Sequence, residues 1–214
     1  MRTLKPIRSF VRRERKLGQT RQKAVQELWS KYVLPPQETL DIQGLPNSVN
    51  IEIGFGMGEA LFKMAGANPN EFFVGIEVHL PGVAALLAKL NIQPLNNLKI
   101  YHYDAIEILQ TCIPNYCINK IFLFFPDPWQ KNRHHKRRIV QPAFVKLIHQ
   151  KLKNDGYFCA ATDIEDYAIH MIKTVTANNF TLMTDAPTLR PLTKFEQRGI
   201  REGRKIWDLA FIKK

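Results

Sequence analysis

The sequence predicts an α/β fold: a doubly wound, mostly parallel sheet that ends in an antiparallel strand pair. Three observations lead there. From Val49 onward, short runs rich in Val, Ile and Phe alternate with segments of helical spacing, the pattern of strands joined by crossover helices. The first run opens into a glycine-rich turn, Gly54-Phe55-Gly56-Met57-Gly58. A later run, Ile121-Phe122-Leu123-Phe124-Phe125, is wholly apolar and stops at Pro126-Asp127-Pro128-Trp129. A run of that kind reads as a strand buried on both faces. The prolines end it, because each removes a backbone N–H from the ladder.

Taken in order, residues 1–23 lack sustained apolar periodicity. Val25, Leu28, Trp29 and Tyr32 fall at helical spacing and predict a short amphipathic helix over Ala24 to Val33, stopped by Pro35-Pro36. Residues 34–48 read as a loop punctuated by Gly44, Pro46 and Asn47. Strands are expected at Val49 to Gly54, Phe72 to Glu77, Leu98 to Tyr103, Ile118 to Phe125 and Tyr157 to Ala161. Between them come helices through Leu61 to Ala65, Pro81 to Leu90, Ile106 to Leu109 and Pro142 to Leu152, the last with proline suited to its first turn. Asn154-Asp155-Gly156 reads as the turn into the fifth strand, and Ile164 to Thr176 as the next helix. Phe180 to Thr184 and Ile206 to Ile212 are expected to form the terminal antiparallel pair, across a long charged connection. Thr162-Asp163-Ile164-Glu165 and Thr193-Lys194-Phe195-Glu196 both fit the T-x-x-E capping box.

The length of 214 residues fits one domain with a terminal extension. We divide the chain into a basic arm with a short helix, 1–33, and an α/β domain, 34–214. The formal net charge is +12, and residues 1–23 carry nine cations against one acid. A second cluster, Lys131, Arg133, Lys136, Arg137 and Arg138, falls within eight positions. Two such clusters point to a polyanionic partner rather than to a solvated tail. Cys112, Cys117 and Cys159 are odd in number and lack metal-ligand spacing, so they are expected to be buried thiols in a reducing compartment. The histidines are scattered, with neither a metal set nor a triad. No apolar stretch approaches membrane-spanning length and no signal-peptide core follows the start, which makes the cytoplasm the expected location. The residues leave monomer and homodimer both open.

The candidate site residues gather at one edge. Glycines at a strand-to-helix turn let backbone approach a ligand closely. The third glycine comes one residue too early for a dinucleotide fingerprint. With Glu52 two residues ahead of Gly54, the spacing resembles motif I of the class I S-adenosylmethionine-dependent methyltransferases. Glu77 and Asp104 stand at the ends of the next two strands, where a carboxylate can accept from ribose hydroxyls or from an adenine amino group. The plainer reading of such acids is a turn or an N-cap. Asp127, Trp129 and the cation run suit a guanine held by its edge with phosphates gripped beside it. Their plainer reading is a turn-former, a packing residue and a solvated face.

Pro126-Asp127-Pro128-Trp129, followed by Lys131, Arg133, His134, Lys136, Arg137 and Arg138, resembles the signature of the bacterial tRNA (guanine-N7-)-methyltransferases. Thr193-Lys194-Phe195-Glu196-Gln197-Arg198-Gly199 is similar to a second signature of that family, and Arg8-Ser9-Phe10-Val11-Arg12-Arg13 to its basic entry. Gln130 departs from a common proline and Asn132 from a common basic residue.

The resemblance implies a Rossmann-like seven-stranded sheet and a class I methyltransferase domain over 34–214. It implies methyl transfer from S-adenosylmethionine to N7 of guanosine 46 in the tRNA variable loop, with tRNA as partner and neither metal nor membrane involved. It assigns Asp127 to catalysis, and Glu52, Gly54, Gly56, Gly58, Glu77, Asp104 and Asp127 to the cofactor. Lys131, Asp163, Thr193, Lys194, Phe195 and Glu196 are assigned to the substrate. Asp127 has two readings, stabilising charge on the guanine or accepting from its Watson–Crick edge. Two other classes compete: a nicotinamide-dependent oxidoreductase, and an RNA-binding module with a vestigial pocket. The early third glycine speaks against the first, and the intact acids Glu52, Glu77 and Asp127 against the second.

Overall fold

The computed structural model describes residues 9–10, 16–184, 190–192 and 194–214, with only the backbone of Lys194, Phe195 and Arg198. Five parallel strands form its centre. They are β2 (Val49–Ile53), β3 (Phe72–Ile76), β4 (Leu98–Tyr101), β5 (Ile118–Phe124) and β6 (Leu152–Thr162). Every residue of β2 and β3 is buried, Asn50 and Glu52 of β2 included; β3 is apolar throughout, as a strand covered on both faces is expected to be. With β1 (Val33–Leu34), β7 (Phe180–Leu182) and β8 (Trp207–Lys213), the sheet order is β1-β4-β3-β2-β5-β6-β8-β7.

The chain thus winds outward from β2 in one direction and from β5 in the other. The cleft between the ends of β2 and β5 is the switch point where such sheets bind ligands. Seven strands are those expected, and β1 is an eighth, pairing parallel to β4 where helix end and loop were read. The terminal pair is antiparallel as expected, but β8 also slots between β7 and β6, antiparallel to both.

Helices cover both faces. Against one lie α1 (Gln19–Tyr32), α2 (Glu59–Ala67) and α3 (Leu80–Ile92), packing Tyr32, Leu61, Leu86 and Leu87 onto Phe73, Ile100 and Phe122. Against the other lie α4 (Ala105–Thr111), α5 (Pro142–Lys151) and α6 (Glu165–Thr176), packing Ile108, Ile148 and Met171 onto Ile51, Val74 and Ile121. The strand side chains alternate between the two clusters, as the pleat demands. Helix α1 begins five residues before the expected start and buries Ala24. A short last helix, α7 (Lys194–Arg201), occupies the charged connection.

Several local expectations change. The Thr162–Glu165 capping box does not form. Thr162 is still in β6, its Oγ1 accepts from Ile164 N–H at 3.2 Å, and the cap position is Ile164. Strand β6 starts earlier than expected, at Leu152, but its pairing with β5 slips across Asn154-Asp155-Gly156, with Asp155 at φ 59°, and regular register resumes at Tyr157 as the expected turn requires. All three cysteines are free and buried. No described helix is long and apolar enough to cross a membrane.

Candidate active site

The carboxyl ends of β4, β3, β2, β5 and β6 lie side by side and carry Asp104, Glu77, Gly54, Asp127 and Asp163 in that order. At the centre the chain turns sharply after β2. Gly54 and Gly56 have φ of 67° and 55°, and no atom lies within 4 Å of where a Cβ would stand on either. The turn is therefore both left-handed and open above, a backbone cradle that side chains would fill.

Glu77, buried at the end of β3, fixes this cradle from beneath. Its Oε2 accepts from Gly56 N–H at 2.8 Å, and its Oε1 accepts from Val78 and His79 N–H at 2.7 and 2.9 Å. A carboxylate offers about four acceptor sites, so one remains for a ligand. Gly82 of α3 closes the arrangement, since a Cβ there would lie 2.2 Å from the Gly56 carbonyl oxygen. Gly58 caps α2 and lines neither cavity described below; a Cβ on it would sit 2.9 Å from Leu86. Asp104 is an N-cap, its Oδ1 accepting from Ile106 and Glu107 N–H at 2.8 and 3.4 Å. The plain reading of that acid holds, and the same residue still faces the cleft.

Two cavities meet at Gly54, Phe124 and Phe125. One, of about 180 Å³, is lined by Glu77, Asp104 and Asp127, with Ser9 and Phe10 from the N-terminal segment. The other, of about 530 Å³, lies over Glu52 and Met57 with Arg21 and Lys89 at its edge. An elongated ligand crossing Gly54 would occupy both.

Glu52 is 3% exposed, and its Oε2 has no hydrogen-bond partner. Burial, and then the charge of Glu77, push its carboxyl up to about 8. An orphaned buried acid beneath an open cavity is suited to a cationic ligand group. The cradle, the acceptor left on Glu77 and this orphan together fit a cofactor such as S-adenosylmethionine, which has ribose hydroxyls, an ammonium and a sulfonium.

Asp127 stands on a strained loop. Phe125 has φ 49° directly before a proline, and Trp129 has φ 46°. Bulky residues held in that region cost about 1–3 kcal/mol each, and persist only where their surroundings over-determine them. The surroundings are visible. Phe125 N–H donates to Ala161 O at 2.8 Å. Trp129 Nε1–H donates to Ser9 O at 3.0 Å, and the Arg137 guanidinium lies 4.9 Å above its ring. Trp129 thus closes the pocket by tying in the N-terminal segment.

Arg138, grouped by sequence with the phosphate-gripping cations, is instead buried. Its Nε donates to Pro128 O at 2.9 Å, its Nη2 to Asp166 Oδ2 at 2.5 Å, and its guanidinium covers the Tyr167 ring. Lys131, Arg133 and Lys136 are exposed on the 3₁₀ turn Asn132–Arg137 and its preceding residue.

The remaining acids are already paired. Asp163 Oδ2 accepts from Arg204 Nη1 at 2.5 Å. Glu196 is buried and takes both terminal nitrogens of Arg190, Nη2 to Oε1 at 2.7 Å and Nη1 to Oε2. Arg190 also donates from Nε to Asp208 Oδ1 at 2.6 Å, and lies over the rings of Phe124 and Phe125. Sequence reading passed over Arg190, which belongs to no motif and lies in an apparent linker. Thr193 is outside the described residues. Lys194 and Phe195 start α7, and their side chains are likewise outside. Among the described residues no group of His, Cys, Asp and Glu could hold a metal ion.

Known proteins resemble this chain over most of its length. Residues 46–209 match a family described as "Putative methyltransferase". A tRNA (guanine-N(7)-)-methyltransferase of Aeromonas hydrophila is 47% identical over 97% of this chain and 92% of its own length. The Yersinia enterocolitica protein of the same name is 45% identical, over 100% and 94%. That of Marinobacter nauticus is 41% identical, over 99% and 93%. Among solved structures, the 16S rRNA methyltransferase KamB superposes with a TM-score of 0.58 at 15% identity, covering 83% of this chain and 94% of that one. An antibiotic-related methyltransferase superposes at 0.56 and 17%, over 85% and 98%. Those two likenesses show the fold. Identity above 40% over nearly the whole length of both chains shows more: the chain belongs to the tRNA (guanine-N(7)-)-methyltransferase family.

Proposed function

We propose that this protein methylates N7 of guanosine 46 in the variable loop of tRNA, using S-adenosylmethionine, and that it works in the cytoplasm. The observation that carries the reading is the meeting of Asp127 with Glu77 and Asp104 around one cavity, in a chain of this family. When bound, S-adenosylmethionine supplies an electrophilic methyl on a sulfonium.

The residues divide the work. Glu77 accepts from the ribose with its remaining lone pair, Asp104 faces the adenine, and Glu52 receives the ammonium. Gly54 and Gly56 give the close backbone approach. Guanine N7 carries a lone pair and no proton, so the protein needs no general base. What it supplies is alignment, worth roughly 7–11 kcal/mol at best. It also supplies a fixed carboxylate where positive charge develops on the purine. Asp127 is that carboxylate. Its loop is rigidified by Arg138 and Trp129, so little reorganisation accompanies the transfer.

On the RNA side, Lys131 meets phosphate or a base carbonyl. Asp163 and the segment Thr193, Lys194, Phe195 and Glu196 border the base. For Asp163, its place just after the end of β6, the strand beside β5, supports this.

The test is transfer of labelled methyl from S-adenosylmethionine to unmodified bulk tRNA, followed by nucleoside analysis. Label confined to 7-methylguanosine is the expected result. Label in another nucleoside, or in none, overturns the reading. Stabilisation by NADH but not by S-adenosylhomocysteine would favour an oxidoreductase.

A further inference from the structure

Arg190 lies at the junction of three elements. Its side chain is 5% exposed and is held between two carboxylates. Glu196 comes from α7, and Asp208 from β8, where it stands opposite Ala161 of β6. The same Ala161 carbonyl accepts the N–H of Phe125. The guanidinium covers the Phe124 and Phe125 rings, with centroids 5.5 and 5.3 Å away. These are the two residues before Pro126-Asp127, and Phe125 is the one in the left-handed region.

A planar fork that engages two carboxylates has little freedom to shift. It presses on the side chain whose backbone is least able to hold its own conformation. Glu196, in turn, has both oxygens on Arg190.

We propose that Arg190 is a positioning residue that sets Asp127 for methyl transfer, and that Glu196 acts on the reaction through Arg190 rather than by touching the base. The inference rests on the function proposed above for the same site, and within it moves Glu196 from direct contact with the base to a supporting position behind it. It adds a mechanical link from α7, beside the RNA, to the strand end beneath the reacting atoms. Arg138 holds the other side of the loop through Pro128 O, so Asp127 is carried between two buried arginines.

The experiment uses the full chain. Arg190→Gln and Glu196→Gln are compared singly and together, with Arg190→Lys as the milder change. Single-turnover methyl transfer, S-adenosylhomocysteine affinity and Tm are measured for each. In parallel, 5-fluorotryptophan is incorporated and the Trp129 resonance is assigned by Trp129→Phe.

Arg190→Gln is expected to slow transfer about 100-fold with cofactor affinity within about twofold. The Trp129 resonance should move while that of Trp29 stays. Arg190→Lys should recover only part of the rate, since an ammonium cannot serve both carboxylates with a fork. The double Gln variant should be no slower than the slower single, because one linkage is broken once.

Additive losses would mean that Glu196 meets the base independently. A rate that tracks Tm alone, or an unmoved Trp129 resonance, would make Arg190 merely structural. Each of these results overturns the proposal. If Arg190→Gln does not fold, the same comparisons are made with Arg190→Lys and Glu196→Gln. A wild-type chain inactive on tRNA but with a Trp129 resonance sensitive to Arg190 would overturn the proposed function and keep the linkage.

Discussion

At the scale of single residues, the two acids on either side of Gly54 have opposite surroundings. Asp127 is exposed at the cavity rim on its strained loop, whereas Glu52 is buried beneath the second cavity with its Oε2 unpartnered. Asp127→Ala should lose most methyl transfer, on the order of 100-fold or more, while S-adenosylhomocysteine binding stays near wild type. Full turnover in that variant would remove Asp127 from the reaction.

Glu52 gives a pH prediction. Its folded value of about 8 lies above the ordinary 4.5. Between those values the folded chain binds more protons than the unfolded one. Its contribution therefore falls as pH rises through that window and is flat above it. The Tm of ligand-free Glu52→Gln should gain on wild type by several degrees from about pH 5 to about pH 9. Parallel Tm curves would contradict it. Glu52 was marked as a candidate site residue by its place before the glycines. That its Oε2 has no hydrogen-bond partner was not legible, because satisfaction of a buried acid depends on residues distant in sequence.

At the scale of elements, the glycine turn is a joint between β2, β3 and α3. Sequence marked Gly54, Gly56 and Gly58 alike. The tertiary contacts separate them: the first two form the open cradle, and the third seats α2 near Leu86. Gly82, unmarked, is the closest approach of all. Gly82→Ala would drive a methyl into the Gly56 carbonyl, and backbone cannot yield as a flexible side chain does. Calorimetry should show S-adenosylhomocysteine affinity lowered at least about tenfold. Unaltered affinity would mean that α3 can move aside freely.

The cation run illustrates the same limit. Its composition announced a basic surface. Only the fold shows that Lys131, Arg133 and Lys136 form it, while Arg137 packs on Trp129 and Arg138 is an interior clamp.

At the scale of the molecule, charge and topology act together. Residues 1–23 hold most of the +12 net charge, and the described part of that segment, at Ser9, is bonded to Trp129 beside the cleft. Because α1 starts at Gln19 and packs on α3, the removable part of the arm ends before it. Deleting residues 1–16 should weaken tRNA binding and flatten its dependence on salt. The slope of log K against log salt should shrink by about two to five. A slope equal to wild type would reduce the arm to a solubilising tail.

The sequence by itself determined the alternation of strands and helices and the row of acids along the carboxyl edge of the sheet. These follow from local periodicity, from proline and glycine, and from residue chemistry, all written within a few positions of one another. It also carried two signatures specific enough to point to one family. Only the tertiary structure decided the eighth strand, Gly82 against Gly56, the orphan beneath the cavity, and the two arginines that flank Asp127. Each depends on groups far apart in the chain. Arg190 reaches back to Phe124 and Phe125, and Trp129 to Ser9. No local pattern encodes such distances; packing does.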